Sequence, residues 1–364
     1  MTVSLEQILG FENLTKVAAT LQGGVPNVFG PEWMSVGVEN ISGNVAEWFE
    51  MPNARTVAPT VNYGSPSRRG TQENISRRQA QCIHSYWHID HKMATLEALR
   101  AVSDPAHQER GRQIIDFQTA EAVRKQDNLR ISALTGMFAN GGNLYFDGAG
   151  DLLPTSSGAY TTVPFNIPAN NRDQLNGIIG ASWATDTSPV LEDLLAIQNT
   201  AVRVSGLPLT RAYYGTNIPG YMLNNDDMQE VLKANPIASA ALMQGKIPDN
   251  TGFDGLKWRP LHTAFFRDAN GTDQSWFGGD VIVFTPEPTA DWFGWLVGSF
   301  SVPDNAISLN GTAANVASSA RSIQGLGTYA MGMNDPPGLR QYFVDTFIPV
   351  LKVPSAVMIA DVTP

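Results

Sequence analysis

The fold is decided by residues 104–139, which read DPAHQERGRQIIDFQTAEAVRKQDNLRISALTGMFA. Asp104 can cap free backbone amides, and Pro105 occupies the first helical position, where its missing N–H costs no hydrogen bond. Residues 113–135 contain no Gly or Pro and are rich in Ala, Gln, Arg, Leu and Ile, and Asn140-Gly141-Gly142 then stops the pattern. The sequence therefore predicts one helix over 104–139 that is about 50 Å long.

This helix alternates apolar side chains near helical spacing with a set of charged side chains. The apolar set is Ile114, Ile115, Phe117, Ala122, Leu129, Leu134 and Phe138, and the solvated set is Arg112, Asp116, Glu121, Lys125 and Asp127. Glu121 and Lys125 form a favourably oriented i,i+4 pair. Because no apolar heptad runs the whole length, we expect a spine helix that packs on a sheet by one face rather than a dimeric coiled coil. An ordinary core helix of a large domain is the plainer interpretation.

Composition narrows the class of protein. The chain has 364 residues and a formal net charge of -10, with 16% charged and 43% apolar residues. This acidic balance argues against a basic groove that grips nucleic acid, so any contact with DNA should be weak. The single Cys82 excludes an internal disulfide framework and indicates a reducing compartment. The sequence contains neither a signal peptide nor an apolar run of membrane-spanning length, so we expect a protein made in a cytoplasm with no membrane partner.

The first quarter of the chain contains two segments that cannot build a core of their own. Residues 1–50 are acidic and poor in apolar content, so we expect an arm that needs a partner surface. Residues 51–92 carry excess positive charge and indicate a long hairpin, with an extended run over 56–63, a turn at 64–67 and a return strand over 79–89. Two such strands bury little against each other, so this extended loop should project and lie on a neighbouring subunit. The arginines that we assign to this contact are Arg55 and, at the tip, Arg68, Arg69, Arg77 and Arg78.

The remaining two thirds alternate helical and extended patterns. The predicted elements are a helix over 188–204, a strand over 207–214, short helices over 220–233, an antiparallel hairpin between 263–266 and 276–284, and two strands over 341–362 that break at Pro349 and Pro354 near a sheet edge.

One group of side chains imitates a metal site, namely Cys82, His84, His88, Asp90 and His91. The segment has the pattern of a strand, on which residues four apart lie too far apart for one ion, so we expect histidines that hydrogen-bond at a hairpin base. A metal-dependent hydrolase that uses His84, His88 and His91 is the alternative from a different class. The sequence has no nucleophile elbow or phosphate-binding loop, and residues 325–330 match a dinucleotide fingerprint only weakly. We therefore assign no catalytic residue, metal ligand or cofactor, and predict that the protein is not an enzyme.

The order of arm, projecting hairpin, long helix, mixed second domain and final strands resembles the major capsid proteins of tailed bacteriophages, which share the Johnson fold of the Hong Kong phage type. Three stretches are similar to the lambda-type major capsid protein E family, namely residues 133–136, 286–293 and 347–359. The resemblance covers roughly residues 45–364 and depends on the order of these stretches.

The resemblance implies an α+β phage capsid fold in four parts. These are an N-terminal arm (1–50), an extended loop (51–92), a peripheral domain (93–185 and 345–364, with the spine helix over 104–139) and an axial domain (186–344). It also implies hexamers and pentamers that form the icosahedral head of a virion around double-stranded DNA, assembled in the host cytoplasm. Portal, scaffolding and decoration proteins are the implied partners. An encapsulin-like nanocompartment shell protein is the nearest alternative with this fold.

Overall fold

The computed structural model describes residues 29–51, 75–91, 105–233, 242–244, 247, 255–261, 265–267, 273–275, 277–301, 322–334 and 337–363. The predicted extended run over 56–63, the turn at 64–67 and the side chains of Arg55, Arg68 and Arg69 lie outside these residues.

Helices and strands both occur throughout this part of the chain. The helices are α1 (Pro31–Ser35), α2 (Pro105–Ala139), α3 (Val190–Ser205), α4 (Ile218–Asn224) and α5 (Asp226–Lys233). The strands are β1 (Val38–Asn40), β2 (Val45–Glu50), β3 (Ser76–Gln81), β4 (Ile83–His91), β5 (Asn143–Phe146), β6 (Leu152–Leu153), β7 (Thr161–Pro164), β8 (Arg211–Tyr214), β9 (Lys257–Pro260), β10 (Phe265–Arg267), β11 (Asp273–Ser275), β12 (Val281–Thr285), β13 (Phe293–Val297), β14 (Ser299–Ser301), β15 (Ser322–Gln324), β16 (Gly327–Asn334), β17 (Pro337–Leu351) and β18 (Met358–Asp361).

The predicted long helix is confirmed as α2, which has 35 residues and ends beside two glycines. Gly141 and Gly142 adopt φ values of 61° and 86°, and the Gly142 N–H donates to the Met137 carbonyl over 2.8 Å. A hydrogen bond of this span closes a helix end only where the chain can take a left-handed conformation, which glycine does without strain. The predicted pair of Glu121 and Lys125 is confirmed, with 3.1 Å between the carboxylate oxygen and the ammonium nitrogen.

The predicted apolar face of α2 is correct only in part. Ile115 is buried, whereas Ile114 and Phe117 are 44% and 68% exposed, because neighbouring helical positions point about 100° apart and cannot share one face. Asp127, which we predicted in the solvated set, is buried. The reason is that the second half of the helix is enclosed, and all of residues 131–138 are buried.

Helix α2 packs on a sheet whose central strand is β17. β4 pairs with one edge of β17 over residues 339–347, while β16 and β13 pair with the other edge over 337–344 and 347–351. β1 extends this second side by pairing in parallel with β13. The prediction of two strands near a sheet edge is therefore wrong for β17, whose two edges both have partners. It is confirmed for β18, which is an edge strand of its own sheet within the described residues, and the predicted break at Pro354 is confirmed by the 3-10 turn over Pro354–Ala356.

The predicted break at Pro349 is also wrong, because β17 continues through this residue. Pro349 lies opposite Trp295 of β13, and the Trp295 N–H donates to the Gly37 carbonyl on its far side. This pair therefore exchanges no hydrogen bonds, and the missing N–H of Pro349 faces the other edge of β17. β4 has already ended there, with Ile83 opposite Phe347. The proline interrupts no ladder, so the strand tolerates it.

A second sheet has the strand order β18-β12-β8-β9 and carries its own apolar core. Helix α3 confirms the predicted helix over 188–204, and α4 and α5 confirm the short helices over 220–233. The chain passes from the first sheet to the second after β17, because β18 pairs antiparallel with β12. The predicted hairpin between 263–266 and 276–284 is correct only in its first strand. β10 pairs antiparallel with β11 at 273–275, whereas β12 at 281–285 pairs with β8 and β18 of the second sheet, because a strand with an apolar run of this kind is buried between two partners.

Candidate assembly surface

β2 and β3 form an antiparallel ribbon, in which Val45 lies opposite Gln81 and Glu50 opposite Ser76. β2 lies within the predicted arm, and the predicted return strand over 79–89 is two strands with a break at Cys82. The Cys82 N–H donates to the Asn44 carbonyl over 2.8 Å. At this residue the chain leaves the ribbon and joins β17 as β4.

One face of the ribbon is attached to its own subunit. Ala46, Trp48 and Glu50 alternate along β2 and are buried. The Trp48 ring stacks on Phe165 with 5.9 Å between ring centroids, and Asn166 Nδ2 donates to Glu50 Oε1 over 3.1 Å. These contacts attach β2 to Phe165 and Asn166 and so hold the ribbon against the rest of its own subunit.

The structure places Arg77 and Arg78 in β3, inside the ribbon rather than at the predicted tip. Arg77 Nη2 lies 2.5 Å from Glu47 Oε2 on the surface, and Arg78 Nε lies 3.0 Å from Glu50 Oε2. Both arginines therefore have an acidic partner within the chain. The exposed Arg77 pair adds little to stability, because water screens it.

The outward face of the ribbon carries exposed apolar side chains. Val45 is exposed where the ribbon begins. At the other end of the ribbon Phe49 is 57% exposed and Ile75 is 61% exposed, and Met51 is exposed beside them. They border the point where the chain continues into residues 52–74. A contiguous apolar surface of this kind is typical of a protein-protein contact.

The histidine side chains of the group that imitates a metal site lie on the two faces of β4. His84 and His91 have different hydrogen-bond partners. His84 Nδ1 lies 2.8 Å from Thr346 Oγ1, and His91 Nε2 lies 2.8 Å from Gln341 Oε1. Cys82 is buried, and desolvation raises the pKa of its thiol to about 11. In the part of the chain that the structure describes, no three His, Cys, Asp or Glu side chains are grouped as metal ligands.

Aromatic rings line the face of the central sheet that is turned away from α2. Tyr342 stacks between Tyr86 and Tyr329, with ring centroids 5.5 and 5.0 Å away. The hydroxyl oxygens of Tyr86 and Tyr329 are 2.8 Å apart, and burial raises the pKa of Tyr329. His88 approaches Tyr342 at 5.6 Å and lies 4.0 Å from the carboxylate of Asp90.

The opposite face of the sheet meets α2 through a buried charged group that our sequence analysis did not identify. Arg130 donates two hydrogen bonds to Asp345, over 2.8 and 2.7 Å. Asp127 Oδ2 is buried and has no hydrogen-bond partner among the described residues. Desolvation raises the pKa of Asp127 to about 6, although Arg130 opposes this shift. The sequence signal for this group is a lone acidic residue in the apolar run 342–348.

The described end of the arm lies against its own subunit and connects the two sheets. Trp33 is fully buried, and its Nε1 donates to the Tyr213 hydroxyl of β8 over 2.7 Å. The Trp295 Nε1 of β13 donates to the Trp33 carbonyl over 2.6 Å. Arg211 forms ion pairs with Glu32 of α1 and with Glu287. We did not predict this anchor, whose signal is a tryptophan in an otherwise acidic and loop-rich segment.

The chain matches one protein family and is similar to several solved structures. The family model described as "Phage major capsid protein E" matches residues 14–298. Among solved structures, the chain is similar to the putative capsid protein of a prophage of E. coli CFT073, with 13% identity, a TM-score of 0.53, and coverage of 95% of this chain and 97% of that one. It is also similar to a phage-related protein from Bordetella bronchiseptica RB50, with 9% identity, a TM-score of 0.51 and coverage of 97% of each chain.

None of the curated proteins matches this chain. Within the described residues, no helix combines the length and the apolar character that a membrane span requires.

Proposed function

Because the chain belongs to the phage major capsid protein E family, we propose that it assembles with copies of itself, as hexamers and pentamers, into an icosahedral head that encloses double-stranded DNA. The predicted α+β capsid fold is confirmed by the similarity to two solved structures over nearly the whole chain. The division into arm, extended loop, peripheral domain and axial domain is part of this proposal. The protein is a structural capsid subunit by family, so we assign it no catalytic role.

The observation that carries the proposal is the difference between the two faces of the ribbon formed by β2 and β3. Its inward face is held by Trp48 on Phe165, while its outward face leaves Phe49 and Ile75 more than half exposed. A single subunit in water gains nothing from these exposed apolar side chains, whereas a second copy would bury them. A stable contact needs about 800 Å² from each partner, so residues 52–74 and their arginines should extend this surface on the neighbour.

The net charge of the chain supports a shell that binds its packaged DNA weakly. The net charge of -10 repels DNA phosphates over most of the surface, so contacts with packaged DNA should be weak and should not depend on base sequence. We propose portal, scaffolding and decoration proteins as further partners, the virion as the location of the protein, and the host cytoplasm as the place of assembly.

The first experiment tests assembly itself. Expression of the chain together with its neighbouring phage genes, followed by negative-stain electron microscopy, should yield closed shells of uniform size. A compact monomer that remains stable at high concentration would contradict the proposal. Shells that enclose a dedicated protein cargo and never DNA would instead support the nanocompartment alternative.

The second experiment tests the arginines. Reversal of Arg68 and Arg69 to Glu, alone or with Arg55, should hinder shell formation while the circular dichroism spectrum of the subunit is unchanged. The matched control exchanges charges within the ribbon by combining Glu47→Arg with Arg77→Glu, which preserves the pair inside the chain. If Arg77 acts only in the ribbon, this control assembles normally. If the exchange also blocks assembly, Arg77 contacts the neighbouring subunit.

A further inference from the structure

In the described part of the chain, β4 is an edge strand of the central sheet. It pairs with β17 alone, from Ile83 opposite Phe347 to His91 opposite Leu339. Successive residues of an antiparallel strand direct their backbone groups to opposite edges. Pro349 faces the β4 edge of β17, as its non-bonded pairing with Trp295 requires. Every second residue of β17 from 339 to 347 therefore bonds to β4.

This alternation determines which backbone groups of β4 face outward. The odd-numbered residues 83–91 are directed towards β17, so the N–H and C=O groups of the even-numbered residues point away from the sheet. At the break before β4, the Cys82 N–H donates to the Asn44 carbonyl. Beyond it, the outward backbone groups have no hydrogen-bond partner in the described residues, and they belong to His84, Tyr86, His88 and Asp90.

This edge lacks most of the features that prevent strand pairing, and its acidic residue, Asp90, is already paired with Arg340 of the same chain. Exposed edges of monomeric proteins are typically short, bulged, or protected by Lys or Pro. β4 is nine residues long and contains neither Lys nor Pro. Its outward residues instead add an aromatic surface, since Tyr86 is 48% exposed and stacks on Tyr342.

A cavity of about 310 Å³ lies at the start of this edge. It is lined by Gly43, Asn44, Gln81, His84, Ser299, Phe300, Ser301 and Thr346. A strand that pairs with β4 would direct every second side chain to the side of the sheet that carries Tyr86 and Tyr342. The cavity is large enough to hold one such side chain, so the edge combines backbone pairing with side-chain recognition, as in known strand-addition sites.

We propose that an extended segment of a second copy of this chain pairs with the open edge of β4. This inference rests on the proposed function, in which copies of the chain are held side by side. The ribbon strand β3 leads directly into β4 through Cys82, so the ribbon and the open edge follow one another along the chain, with the exposed side chains of Phe49 and Ile75 at the far end of the ribbon. One neighbouring subunit can therefore cover both.

Amide hydrogen exchange tests the proposal directly. In the isolated subunit the amides of Tyr86 and His88 should exchange rapidly, and in assembled shells they should exchange at least about tenfold more slowly. The amide of Trp87, which faces β17, is the internal control and should be protected in both states. Equal exchange of Tyr86 and His88 in the two states would overturn the proposal, whether the edge is open in both or covered by its own chain in both.

A pair of variants separates backbone pairing from side-chain contact. His88→Pro removes an outward N–H and leaves the ladder to β17 intact, whereas His88→Ala removes only the ring. His88→Pro should reduce the yield of shells at least about tenfold, and His88→Ala should assemble at the wild-type level. Normal shells from a folded His88→Pro variant would refute strand addition but would leave the capsid function standing. If the wild-type chain forms no shells under any condition, the capsid function itself fails. Should His88→Pro fail to fold, the exchange experiment decides.

Discussion

Replacing Asp127 with Asn should stabilise the isolated subunit at neutral pH. Asp127 lies beside Arg130, which already donates two hydrogen bonds to Asp345. The three side chains therefore place two carboxylates against one guanidinium in a buried layer between α2 and β17. The ionised form of Asp127 has neither a free countercharge nor a partner for Oδ2 among the described residues. Asn keeps the size of the side chain and removes the unpaired charge.

The size of the effect follows from the pKa. Burial raises the pKa of Asp127 from 3.8 to about 6, and each pKa unit corresponds to about 1.4 kcal/mol. Because the folded state binds this proton more tightly than the unfolded state does, ionisation lowers the free energy of unfolding by about 3 kcal/mol well above pH 6. The penalty decreases as the pH falls through 6 towards 3.8, and it should be about half as large at pH 5.

Urea denaturation of wild-type and Asp127→Asn subunits at pH 7.5 and pH 5 measures this difference. The variant should gain about 3 kcal/mol at pH 7.5 and about 1.5 kcal/mol at pH 5. The comparison of the two proteins at each pH cancels the titration of other groups. Asp345→Asn is the matched control and should lose about 3 to 5 kcal/mol, because it leaves the Arg130 charge uncompensated. A neutral or destabilising effect of Asp127→Asn at pH 7.5, or an equal effect at both pH values, would refute the reasoning.

Three further outcomes are expected. Trp33→Ala should lower the free energy of unfolding of the subunit by about 3 to 5 kcal/mol in urea titrations, because it empties a fully buried site and removes the hydrogen bond to Tyr213; a loss below about 1 kcal/mol would show that the anchor is dispensable. The Cys82 thiol, with its pKa raised to about 11, should resist a colorimetric thiol reagent at pH 8 until the subunit is unfolded, and rapid labelling of the native protein would contradict its burial. Gly294→Ala should cost about 1 to 3 kcal/mol, because the added Cβ would lie 2.7 Å from the carbonyl oxygen of Gly37, the residue before β1; an unchanged melting temperature would argue against that close approach.

Local sequence signals were sufficient for the long helix α2 and for α3, whereas the short helix α1 was not predicted. The long helix begins at a proline and ends at two glycines, and both signals act within a few residues of the helix end. The same holds for α3, whose end is set by Gly206 at a φ of 76°. These elements depend on backbone preferences that the chain carries wherever it lies, so the pattern alone predicts them.

The incorrect predictions concern residues whose structure depends on the neighbouring strand of the sheet. Pro349 ends a strand only if its missing N–H faces a partner, and the sequence gives no information on where β4 stops. Arg77 and Arg78 appeared to belong to a loop tip, because β2 begins inside the predicted arm and supplies Glu47 and Glu50 from about thirty residues away. Pairings between distant residues depend on the register of the strands, and a single sequence does not specify it.

The buried charged group explains how the register of β17 is fixed. A shift of one residue against β4 would turn every side chain of β17 to the opposite face of the sheet. Asp345 would then move onto the aromatic face and leave Arg130 buried without a partner, while Tyr342 would be forced against α2. Uncompensated burial of one charge costs several kcal/mol, which exceeds what a displaced aromatic contact could recover. The Arg130–Asp345 pair therefore favours one register, and in that register the outward backbone groups of β4, from His84 to Asp90, form the edge at which we propose that a second copy pairs.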